Sequence, residues 1–221
     1  MNITEAMKAR HSVRQYKEQP LEADIITAMQ TEIDSCNRES GLHVQLVTNE
    51  PKAFSGIMAR YGKFSGVTDY IALIGKKDDA LEEKCGYYGE RLVLKAQQLG
   101  LNTCWVAMTY SKVKTAFSVE NGEKLCVVIA LGYGKTQGVP HKSKSVSETA
   151  KAEGEIPEWF KKGVEAALLA PTAMNQQKFM FELNENRVRV KAGTGFYSKV
   201  DLGIVRYHFE IGAGTENFTW E

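Results

Sequence analysis

GERLVLKAQQLG, residues 89–100, sets Leu92, Ala96 and Leu99 on one side of a helix and stops on a glycine suited to a C-cap. It ends a longer helical run, CGYYGERLVLKAQQLG (85–100). A second stretch, GIVRYHFEIGAG (203–214), has the same outline, with glycines at the same interval. A tryptophan follows each, Trp105 in the first case and Trp220 in the second. Upstream of each stand a proline, an amphipathic helix and two strand-like runs. The order helix, strand, strand, helix thus occurs twice. That predicts two similar halves fused in one chain, 1–150 and 151–221, packed as one unit about an approximate two-fold axis. The competing reading is two ordinary amphipathic helices with glycine stops.

Working outward, NITEAMKA (2–9) reads as a short helix capped by Asn2 or Thr4, followed by the basic stretch RHSVRQY. LEADIITAMQTEIDSC, after Pro20, carries Leu21, Ile25, Ile26, Met29 and Ile33 at helical spacing. HVQLVTN (43–49) alternates like a strand. DYIALIG (69–75) and EKLCVVIALGYG (123–134) are continuous apolar runs expected of buried strands. KAFSGIMARYGKFSG and SKVKTAFS each suggest a short helix. Residues 135–154, KTQGVPHKSKSVSETAKAEG, are polar and read as a linker. IPEWFKKGVEAALLA is then a helix that ends at Pro171, KFMFELNENRVRVKAG a hairpin turned at Asn184–Asn186, and VDLGIVRYHFEIGAG (200–214) the last helix.

The bulk numbers exclude several classes. A formal charge of +1 over 221 residues sets up no field that would recruit nucleic acid or an anionic membrane. No apolar run approaches the ~20 residues of a membrane helix, and the N-terminus has no apolar signal core, so a cytoplasmic location is expected. Cys36, Cys85, Cys104 and Cys126 make no CxxC pair, and His11, His43, His141 and His208 make no HExxH, so no metal site is expected. GYGKTQG after the strand 123–134 lacks both the Rossmann spacing and a following helix, and no P-loop exists.

Three segments together resemble the FMN-dependent nitroreductase family. Its R-R-S-x-R-x-[FY] pattern is matched by Arg10, His11, Ser12, Val13, Arg14, Gln15 and Tyr16. Its A-P-S-x-x-N-x-Q-P-[WF] motif is matched by APTAMNQQKF, Ala170 to Phe179, with Lys178 in place of the proline. Its G-L-G-[ST]-C-W-[IV]-G segment is matched by Gly100 to Val106, with Ala107 and Met108 where glycine is common, and its A-L-G-Y strand end by Ala130 to Tyr133. The resemblance covers most of the chain. In the family the A-P-S motif lies one helix after the arginine motif; here it comes about 160 residues later, which fits a divergent, internally duplicated branch. The resemblance implies an α+β fold of mainly antiparallel sheets flanked by helices, one FMN per chain, and NADH or NADPH as reductant. It further implies backbone N–H groups of Ala107 and Met108 near the reactive edge of the flavin.

The residue chemistry bears on these roles. Arg10 and Arg14 could pair with phosphate oxygens, with Ser12 and His11 beside them and Lys142 or Lys144 adding charge; a solvated basic arm is the alternative. Pro171, Thr172, Asn175 and Gln177 offer hydroxyl, amide and free backbone groups to a polar ring edge; a turn capped by its own amides is the alternative. No general acid or base is assigned. The expected activity is ping-pong reduction of a small electron-poor acceptor, with an FMN-binding module without turnover as the second reading. Small molecules are the expected partners, and monomer and homodimer both remain open.

Overall fold

A computed structural model describes residues 1–221. The first sheet has the order β1-β2-β4-β3, from β1 (Gln45–Val47), β2 (Asp69–Lys76), β3 (Asn102–Val106) and β4 (Glu123–Gly132), all pairs antiparallel. Strands β2 and β4 are central and covered on both faces. Ile71, Leu73, Val127, Ile129 and Leu131 pack on one side with Met29, Ile33 and Leu92; Tyr70, Ala72, Ile74, Val128 and Ala130 pack on the other with Phe54 and Phe64. That double coverage is why both strands read as unbroken apolar runs. Cys126 is the unmatched residue of a bulge, because Leu73 faces Val127 and Ile74 faces Leu125.

The second sheet has the order β5-β6-β7-β8, from β5 (Ala150–Ala152), β6 (Phe179–Asn184), β7 (Arg187–Ala192) and β8 (Thr219–Trp220). Its central hairpin is antiparallel, turned through Glu185 at φ 56°, and each outer pair is parallel. Four of the six strand pairs in the molecule are therefore antiparallel. The helices are α1 (Ile3–Ala9), α2 (Ala23–Ser40), α3 (Ile57–Tyr61), α4 (Leu81–Gln98), α5 (Val146–Thr149), α6 (Glu158–Ala167) and α7 (Ser198–Ala213). No helix is long and apolar enough to cross a membrane.

Helices α4 and α7 pack against each other, and they do so reciprocally. A methyl group on Gly86 would run into the Val200 carbonyl, and one on Gly203 into the Glu83 carbonyl. Each glycine is the sixth residue of its helix, and each contact lies three residues before the opposite glycine. The glycines that meet are thus Gly86 and Gly203, three residues off the Gly89–Gly203 match drawn from the sequence. The strands that flank them agree: β2 and β3, both antiparallel to β4, run parallel on either side of α4 in the chain, as β7 and β8 do around α7.

Two expectations change. SKVKTAFS forms turns rather than a helix, and Val113, Ala116 and Phe117 use their spacing to plug the core beneath. The polar segment 135–154 is not loose. His141 Nε2 and Ser143 Oγ bond the Leu168 carbonyl at 3.0 and 3.1 Å, and the segment ends in α5 and the edge strand β5 of the second sheet.

Candidate functional site

The arm 10–17 lies along the free edge of β3. Ser12 bridges Thr103, Val13 N–H donates to the Thr103 carbonyl at 3.0 Å, and Ser65 N–H donates to the Arg14 carbonyl at 3.0 Å. Val13 and Tyr16 are buried in the core, with the Tyr16 hydroxyl bonded back to the Val13 carbonyl at 2.7 Å. Anchoring those two side chains leaves Ser12 and Arg14 exposed beside Cys104.

Next to them opens a cavity of about 310 Å³. Its walls are Ser12 and Arg14 of the arm, Cys104–Thr109 at the exit of β3, Val127 of β4, the turn Pro171–Met174, and Phe196, Tyr197, Val200, Asp201 and Ile204 around the start of α7. The N–H groups of Ala107, Met108, Thr172 and Met174 find no acceptor within the protein. The Arg14 guanidinium makes no ion pair, and its charge together with Ser12 partly offsets the rise that burial imposes on the Cys104 thiol. The mouth carries three exposed apolar side chains, Met108 (67%), Met174 (79%) and Phe196 (72%). Unpaired donors on an apolar wall with a cation at one end suit a planar ligand with one polar edge and an anionic tail.

Of the twelve residues expected at the site, Ser12, Arg14, Ala107, Met108, Pro171 and Thr172 line this cavity. The other six lie elsewhere. Arg10 turns inward and is 3% exposed, its Nε 3.9 Å from Glu90 Oε1 and without a hydrogen-bond partner. Burial draws its pKa down, and Glu90 pulls it part of the way back. Glu90 itself is buried and accepts from Trp105 Nε1 at 2.9 Å, with His208 Nε2 also at 2.9 Å. His11 packs beneath Gly138, its pKa lowered by burial, by Arg10 and by His141.

Asn175 and Gln177 do not face a ring edge, because their amides are already bonded. Asn175 Nδ2 donates to the Lys142 carbonyl at 2.9 Å. Gln177 Nε2 donates to the same carbonyl at 2.8 Å, and its Oε1 accepts from Lys144 N–H at 2.9 Å. Lys144 Nζ donates to the Gln177 carbonyl at 2.9 Å rather than reaching toward the arm, and Lys142 contributes only its backbone carbonyl. The amides of the turn therefore bolt segment 142–144 in place, which neither the ligand reading nor the self-capped reading anticipates. Lys178, where the family pattern has proline, donates to the Thr194 carbonyl at 2.8 Å and fastens the loop that leads to Phe196. Residue type left the cavity residues Phe196, Tyr197 and Asp201 unmarked. The one clue was a lone acid in the first turn of α7.

A basic arm on a strand edge, a strand exit with unpaired N–H groups and a proline turn thus meet around one cavity of an α+β fold. A putative nitroreductase from Thermotoga maritima has the same fold at TM-score 0.63 and 23% identity, over 96% of this chain and 83% of that one. A putative nitroreductase from Desulfovibrio desulfuricans, solved in complex with FMN, aligns at TM-score 0.56 and 14% identity, over 71% of this chain and 99% of its own. A putative NADH dehydrogenase/NAD(P)H nitroreductase from Parabacteroides distasonis aligns at 0.51 and 23%, over 67% and 96%. The chain matches no curated protein. The family model described as Putative TM nitroreductase matches residues 2–213, and the chain belongs to that nitroreductase family.

Proposed function

We propose that this chain is an FMN-dependent NAD(P)H oxidoreductase that reduces a small electron-poor acceptor, a nitroaromatic or a quinone, by a ping-pong cycle. One observation carries the reading: a single cavity joins the unpaired N–H groups of Ala107 and Met108 to an unpaired guanidinium at Arg14. When bound, FMN supplies a ring that takes a hydride at N5 and hands two electrons to a second substrate. Arg14 and Ser12 are suited to its phosphate, as a charge-assisted pair and a hydroxyl donor. The N–H groups of Ala107, Met108, Thr172 and Met174 are suited to its polar edge. Trp105, Val106, Val127 and Ile204 keep water from the rest of the cavity. A nicotinamide reductant implies a cytoplasmic setting.

In this reading the chain is two fused halves, 1–150 and 151–221, that build one site together. The reciprocal crossing at Gly86 and Gly203 supports it. So does a cavity walled by arm, β3 and β4 on one side and by the 171–174 turn and α7 on the other.

The test is an absorbance spectrum of purified protein supplied with FMN, before and after NADH or NADPH, then after a nitroaromatic. Flavin bands that bleach and recover are expected. Failure to take up FMN would sink the reading, and flavin that never bleaches would leave only a binding module. Arg14→Ala should lose about 1.5–3 kcal/mol of FMN binding, roughly 10- to 150-fold in Kd. Unchanged affinity would remove the phosphate assignment.

A further inference from the structure

Asp201 is 5% exposed, lines the cavity and has no cationic partner. Its Oδ1 accepts the Ala173 N–H at 2.9 Å, and its Oδ2 accepts Gln176 Nε2 at 2.7 Å. The same Gln176 nitrogen donates to the Phe196 carbonyl at 2.8 Å. One carboxylate on α7 therefore grips the turn directly and the Phe196 loop through one intermediary.

What it grips is strained. Met174, Asn175, Gln177 and Tyr197 all hold positive φ, between 44° and 56°, and are four of the seven non-glycine residues in the chain that do. Such conformations persist only where the surroundings over-determine them. Gln177 and Thr172 brace the far side of the turn, toward segment 142–144. Asp201 is the brace on the cavity side.

We infer that Asp201 is a positioning residue: its carboxylate holds the 172–177 turn and the Phe196 loop against α7 in the arrangement that forms the cavity wall. Its importance for binding rests on the flavin reading above; its grip on the turn does not. A residue kept only for stability would be a poor choice here, since an unpaired buried carboxylate costs stability.

Asp201→Ala tests the inference on three readouts. Amide hydrogen exchange of peptides covering 171–178, measured without flavin, should speed up by roughly 5- to 10-fold, the loss of a net hydrogen bond or so. The melting temperature at pH 8 should hold or rise. The Kd for FMN should rise several-fold. Asp201→Asn, which keeps one acceptor oxygen, should restore protection at Ala173. Unchanged exchange in the alanine variant would overturn the inference. So would a general loss of protection with a lower melting temperature, which marks a merely structural role. So would faster exchange with unaltered FMN affinity in a protein whose wild type binds FMN. If wild type binds no FMN, the flavin reading fails, and the exchange and melting results still decide the grip on the turn.

Discussion

Gly86→Ala and Gly203→Ala should each destabilise the fold, and the pair should cost much less than the sum. A methyl on Gly86 would meet the Val200 carbonyl and lie 3.1 Å from Gly203 Cα; one on Gly203 would meet the Glu83 carbonyl and lie 2.5 Å from Tyr87 N. The clashing atoms are backbone, so no side chain can swing away. Relief requires α4 and α7 to part by roughly an ångström, at the upper end of the ~1–3 kcal/mol typical of overpacking. Alanine returns about 1 kcal/mol of helix propensity. Each single variant should therefore lose about 2 kcal/mol.

Once the helices have parted for one methyl, the second enters a gap already opened. The second alanine also returns its own helix propensity, so the double variant should lose only about 1–2 kcal/mol, a coupling of the kind expected for residues in contact. Urea unfolding followed by circular dichroism measures all three, and a 2 kcal/mol loss lowers the melting temperature by about 4–8 °C in a chain of this size. The reciprocal contact also requires the two single variants to match closely. A loss below about 0.5 kcal/mol in either one, or strict additivity, would refute the argument.

Asp201 gives a second prediction, of pH dependence. Burial lifts its pKa from the ordinary 3.8 to about 6, with Gln176 and the Ala173 N–H holding it back. A raised folded-state pKa means a stabilising contribution that is full below about 4 and lost as pH rises through about 6, at most about 3 kcal/mol. Stability profiles of wild type and Asp201→Ala should differ most in slope across that window, and parallel profiles would count against it. Gln177→Ala removes two hydrogen bonds to segment 142–144, so trypsin should cut after Lys142 and Lys144 up to roughly 30-fold faster, at about 1 kcal/mol per bond lost; an unchanged digest would show the segment held by other means. Saturating FMN should load one flavin per chain, because β4 is present in the first half only; two would contradict the fused-halves reading.

Much of the fold was legible because its signals are local. The buried strands β2 and β4 declared themselves as apolar runs, the hairpin by its Asn184–Asn186 turn, and α4 and α7 by stripe and glycine stop. What failed was the inference from composition. SKVKTAFS has helical spacing, but its apolar side chains are served equally well by a turn over the core. Segment 135–154 is polar because its backbone and side chains bond to α6 and the proline turn, not because it is loose. The same limit applies at the site. An amide in a turn advertises hydrogen-bonding capacity and says nothing of the partner, so Asn175 and Gln177 read as ligand groups until Lys142 and Lys144 were seen to occupy them. The backbone donors of Ala107 and Met108 are expected from the family resemblance alone, and the exit of β3 at Val106 leaves their N–H groups unpaired.

If the chain is two fused halves, β4 and β5 are the strands without a counterpart, and β4 is the one that bears on the cavity. In the second sheet β8 bonds directly to β7. In the first, β4 lies between β2 and β3, and β3, like β8, is the last strand of its sheet. An outer strand presents an unpaired edge, and such edges must be covered. Here the arm 10–17 covers it, through Thr103, and thereby fixes Ser12 and Arg14 beside Cys104. β4 also supplies Val127 to the wall. A cationic arm, a strand exit and an apolar floor thus come together at the edge of the first sheet. Residues 151–221 contribute the 171–174 turn and the start of α7, and Asp201 bonds one to the other.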